Sequence, residues 1–177
     1  AKFQEIVGTG WKILIGRELP DSKSIEREKI KKDDRGNFFF FGDLLKLKKQ
    51  QEEVPVVFLH PKTWNMQVVV WVDEAGKSVL FNADGSPKYE IKTLLDAGFS
   101  VCSPDVFGTG ELVPAGAASP LKNRRVGGDR QFAGYTYGYN HPLFAQRVHD
   151  ILTLVSFVRG DDHGATKVHV VGLNGAG

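Results

Sequence analysis

Residues 167–177, KVHVVGLNGAG, decide how the rest of the chain is read. A short apolar run feeds a turn of small residues, the pattern of a strand buried in a sheet that breaks sharply toward a helix. Two earlier segments share the strand pattern, MQVVVWVDEAG at 66–76 and GFSVCSPD at 98–105. Between those two, KYEIKTLLDAG at 88–98 sets Ile91, Leu94 and Leu95 at helical spacing and stops on Gly98. Before the last strand, HPLFAQRVHDILTLVSFVRG at 141–160 carries Leu143, Val148, Ile151, Leu152, Leu154, Val155 and Val158 and ends at Gly160, a stronger helix. Alternating strands and helices in this order predict an α/β fold with a mostly parallel sheet, right-handed crossovers and flanking helices.

Upstream, NFFFFGDLLKLKK (37–49) and EEVPVVFLHPK (52–62) read as strands joined by the polar QQEE turn, an antiparallel N-terminal hairpin whose second strand ends at His60-Pro61. At the start of the chain, Phe3, Ile6, Val7, Trp11, Leu14 and Ile15 share one helical face, which predicts a helix. Gly8 and Gly10 weaken that helix, by about 1 kcal/mol each relative to alanine. The stretch from Pro20 to Gly36 mixes charges without an apolar period and predicts a solvated surface segment. The expected organisation is an N-terminal helix and polar segment over 1–36, then an α/β domain over 37–177.

With 177 residues, 41% of them hydrophobic, the chain can bury a core of its own. A net charge of +2, from 23 basic and 21 acidic residues, gives no field that would steer it to nucleic acid or an anionic membrane. Its apolar runs fall far short of the roughly 20 residues that span a bilayer. The single cysteine, Cys102, lies inside an apolar strand pattern and reads as a small core residue.

Taken in order, MQVVVWVDEAG, LLDAGFSVCSPDVFGTGEL, QRVHDILTLVSFV and KVHVVGLNGAG resemble the central portion of the α/β-hydrolases, closest to the acetyl-xylan-esterase-like branch of carbohydrate esterases. SPDVFGTGEL (103–112) is similar to that family's PDxRGxGxS turn, with Phe107 where arginine is usual and Glu111-Leu112 where serine is usual. The resemblance covers roughly residues 54–177 and implies a partial α/β-hydrolase fold ending at its nucleophile elbow.

In that fold the elbow GxSxG lifts a serine oxygen to the carboxyl edge of the sheet. Aligned here, the elbow is Gly172, Leu173, Asn174, Gly175 and Ala176, so Asn174 holds the nucleophile position. A carboxamide nitrogen is a poor nucleophile at neutral pH, and loss of a serine nucleophile costs on the order of 10⁶ in turnover in a well-studied protease. The resemblance places the oxyanion region at Asp73, Glu74 and Gly175. Two carboxylates turned inward there would repel an oxyanion, whereas at the start of a surface loop they would be neutral to the chemistry. The acid and the histidine of the triad follow the elbow in this family, so a C-terminal half or another chain is expected to complete the fold, with acylated carbohydrate as the substrate class and no cofactor, metal, nucleic acid or membrane. A last strand without its neighbours is expected to leave an open sheet edge.

Three further groups bear on function. Tyr135, Tyr137, Tyr139 and Arg130, just ahead of the second helix, are candidates to bind sugar rings, through aromatic faces and a planar cation, or form a loop folded on its own domain. Asp161, Asp162 and His163 are adjacent in a turn, a poor arrangement for a common metal ion. Arg147 and Asp150, three apart on the helix, read as an architectural pair. A dinucleotide site at GLNGAG is disfavoured because its glycines run GxxGxG, the reverse of the order that fits a pyrophosphate.

Overall fold

The computed structural model describes residues 2–113, 141–160 and 164–175. Helix α1 spans Lys2–Ile15, and strands β1 Glu26–Asp34, β2 Phe38–Leu47 and β3 Glu52–Pro61 follow. Then come β4 Gln67–Asp73, α2 Tyr89–Asp96, β5 Ser100–Pro104, α3 Leu143–Gly160 and β6 Lys167–Leu173. They build one six-stranded sheet in the order β1-β2-β3-β5-β4-β6. β5, β4 and β6 are parallel, as the alternating pattern predicts, and β1 to β3 form an antiparallel meander that joins β5 antiparallel.

The antiparallel part is one strand wider than the expected hairpin. Glu26–Asp34, expected only as a solvated surface segment, pairs with β2 along its length. It stays solvated because it is an edge strand, and lysines along an edge discourage pairing with other chains. Cations on and just after it lie over the β2 aromatics: Lys32 over Phe39 and Phe41, and Arg35 over Phe40 at 4.7 Å.

Side chains alternate across the sheet and divide the core in two. On one face Leu45, Leu47, Val54, Val56, Val68, Val70, Val72 and Cys102 pack with Leu154 and Val158 of α3. On the other, Phe38, Val57, Leu59 and Val101 pack with Leu80 and with Ile91 and Leu95 of α2. Cys102 is fully buried, and burial pushes its thiol well up from its ordinary value, as expected of a core residue. Helix α1 forms where predicted but buries none of its residues, with Phe3, Ile13 and Leu14 about three-quarters exposed. β6 pairs only with β4 among the described strands, and Val170 on it is 57% exposed. No described helix is long and apolar enough to cross a membrane.

Candidate functional site at the carboxyl edge of the sheet

Parallel strands deliver their carboxyl ends to one edge, where open α/β sheets build their sites. Here that edge gathers the ends of β4 (Asp73, Glu74), β5 (Asp105 to Phe107) and β6 (Asn174, Gly175). Asn174 turns sharply out of β6 with φ +50°, and Gly175 follows at φ +86°. The left-handed region is uncommon for a non-glycine residue, though asparagine tolerates it better than most. The chain thus turns sharply, in the left-handed region, directly after β6.

What Asn174 does there is set by Asp73, 101 positions earlier. Its Nδ2 donates to Asp73 Oδ2 at 2.8 Å, while Asp73 Oδ1 accepts from the Ala75 N–H at 2.9 Å. Asp73 is 4% exposed, so its side chain is buried beside Asn174 rather than turned to solvent. Glu74 is close as well: a Cβ built on Gly175 would lie 3.4 Å from Glu74 Oε2. Asp73, Glu74, Asn174 and Gly175 therefore converge, and the wall beside them is a cavity of about 200 Å³ shared with Thr109, Phe144 and Arg147. Tyr135, Tyr137, Tyr139 and Arg130 lie outside the described residues, as do Asp161, Asp162, His163 and Ala176.

The loop after β5 is held by a carboxylate that sequence reading passed over. Asp105, 1% exposed, accepts from the Lys77 N–H at 2.8 Å and the Glu111 N–H at 2.9 Å and pairs with the Lys77 ammonium. Gly76 and Gly110, both at positive φ, come so close that a Cβ on either would stand within 2.4 Å of Asp105 oxygens. Gly110 of the SPDVFGTGEL turn and Gly76 of the loop after β4 leave room for this carboxylate, and the glycine spacing of the motif was the signal available in the sequence.

Arg147 and Asp150 prove architectural, though through a third residue. The Phe107 N–H donates to Asp150 Oδ2 at 2.7 Å and the Phe107 carbonyl accepts from Arg147 Nε at 3.0 Å, so the pair grips the backbone at Phe107 from α3. Burial pushes Asp150 up to about 7, against the opposing effect of the Phe107 hydrogen bond. Desolvation likewise holds Arg147 somewhat below its usual value.

Three of the described histidines serve other places. His149 Nδ1 lies 2.9 Å from Glu52 Oε2 and 2.7 Å from an Arg17 nitrogen, with burial and Arg17 lowering its proton affinity. His169 bonds Gln67 at the start of β4, and His60 bonds Ser100 at the start of β5. Among the described residues no group of three or more His, Cys, Asp or Glu side chains could hold a metal ion.

Comparison with solved structures bears on the fold. The chain superposes on a Bacteroides fragilis protein provisionally assigned as an acetyl xylan esterase, with a TM-score of 0.66 over 98% of the chain at 13% identity. It is also similar to a glucuronoyl esterase from Solibacter usitatus, with a TM-score of 0.55 over 88% of the chain at 9% identity. The fold is that of an α/β-hydrolase. The chain spans 47% of the length of each of these two structures. Neither protein-family models nor curated proteins match the sequence. Asn174 lies in the turn after β6 and the Asp105 loop follows β5, with β4 between the two strands.

Proposed function

We propose that this chain is the N-terminal portion of an acetyl-xylan-esterase-like carbohydrate esterase domain in which the elbow no longer hydrolyses esters. In this reading it acts as a module for binding acylated carbohydrate, or for assembly, within a larger esterase. The observation that carries the proposal is the Asn174 carboxamide, held at φ +50° and donating to the buried Asp73. A serine there would offer a hydroxyl to a base, but the amide offers no useful nucleophile. The Asp73 and Glu74 carboxylates beside it repel the anion that ester cleavage would form. They equally disfavour a pyrophosphate, which counts against a dinucleotide at this turn.

Purified chain is expected to release no 4-nitrophenol from 4-nitrophenyl acetate above the buffer rate. Turnover that disappears in an Asn174→Ala variant would overturn the proposal. The edge of β6, which pairs with β4 alone among the described strands and leaves Val170 and Leu173 exposed, is the place for further strands from a C-terminal half or another chain. Light scattering is expected to show self-association of the isolated chain, and a monodisperse species of 19.6 kDa would count against an edge that needs covering.

A further inference from the structure

A second cavity opens at the opposite edge of the sheet, under the amino ends of the parallel strands and away from Asn174. It holds about 140 Å³ and is walled by Phe41, Phe58, Trp64, Phe157 and Val68, with Arg27, His60 and Ser100 as its polar lining. Strand alternation puts Phe41, Phe58, His60 and Ser100 on the α3 face of the sheet, and the end of α3 supplies Phe157. An apolar cavity of about this size takes a single aromatic ring.

From this arrangement we infer that the cavity is a binding site for a phenol, one aromatic ring bearing a hydroxyl. The ring occupies the space between the phenylalanines and Trp64, where edge and face contacts are available on several sides. The hydroxyl meets Ser100, whose Oγ lies 2.7 Å from His60 Nδ1. Whichever of the two donates in that bond, a serine hydroxyl keeps capacity for a further one. Ser100 is only 6% exposed, so a ligand hydroxyl that reaches it is recognised with little competition from water.

Arg27 decides between a phenol and an aromatic acid. Its guanidinium already lies over the Phe41 and Phe58 rings, at 5.4 Å from each, and suits one more ring in the same way. Its charge is met by Asp43, through Nε at 2.8 Å and a terminal nitrogen at 2.6 Å. An incoming carboxylate would therefore approach a neutralised cation with a fixed anion beside it, whereas a neutral hydroxyl meets no such opposition. The site is separate from the elbow and does not depend on the esterase reading.

Titration of the uniformly ¹⁵N- and ¹³C-labelled chain with 4-methylphenol tests the proposal by NMR. Saturable shifts are expected in the His60 ring and the Val68 and Ala165 methyl groups, with toluene binding about five- to tenfold more weakly and benzoate not at all. A Ser100→Ala variant is expected to bind 4-methylphenol and toluene alike, since only the hydroxyl contact is lost. An Ala165→Leu variant, which fills the cavity without touching Ser100, is expected to lose both ligands. No saturable shift with 4-methylphenol in the unaltered chain up to 10 mM on the order of weak single-ring binding, or benzoate binding as tightly as 4-methylphenol, would overturn it.

Discussion

Replacing Asp105 by alanine is expected to lower the unfolding free energy by about 3–5 kcal/mol, the usual result of removing one partner of a buried ion pair. The Lys77 ammonium would lose its buried partner and keep only the exposed Glu111, and the N–H groups of Lys77 and Glu111 would lose their acceptor. Urea titration measures the loss as a lower midpoint at an unchanged slope. An Asp105→Asn variant keeps two acceptor bonds of the carboxylate at most and should fall between the two. Gly110→Ala should approach the alanine variant from the other side, because its new Cβ would stand 2.2 Å from the Asp105 carboxylate at a φ of +48°. Loss of less than 1 kcal/mol in Asp105→Ala would mean that this carboxylate does not organise the loop.

A second large effect is expected from pH at Asp150. Its carboxyl is raised from 3.8 to about 7 by burial, so between these values the folded chain binds a proton that the unfolded chain releases. The stability this supplies is complete below about pH 4 and is lost as pH rises through about 7, on the order of 4 kcal/mol in all. His149, lowered by burial, works in the opposite direction: its contribution is present at neutral pH and is lost on acidification. Comparison of the unaltered chain with Asp150→Asn isolates the first from the second. An asparagine oxygen can still accept from the Phe107 N–H, so the two proteins should be similarly stable at pH 4 and diverge as pH rises, with the variant more stable at pH 8. Parallel stability curves across that range would refute the assignment.

The parts of the fold legible in the sequence were those whose side chains follow a simple period. Val68, Val70 and Val72 of β4 and the apolar spacing of α3 each report burial directly, because the local pattern repeats the pattern of contacts. β1 escaped this reading since its Lys and Glu residues face solvent and sit across from the aromatics of β2, so charge hides a strand that pairing makes plain. At the site, glycine spacing pointed to a sharp turn at Asn174, and the SPDVFGTGEL turn was visible as a motif. The work of Asp105 within it was not, since its partners Lys77 and Gly76 lie on a different loop.

By itself the sequence determined the alternation of strands and helices and the sharp turn after the last strand, both of which depend on neighbours a few residues apart. Only the tertiary structure decided that β5 inserts between β3 and β4, and that Asp73 turns inward to hold Asn174. It likewise decided that Arg147 and Asp150 grip Phe107 and that Arg27, His60 and Ser100 share one cavity. These are meetings of residues 33 to 101 positions apart, or of strands whose order is not the order of the chain, and no local spacing encodes them.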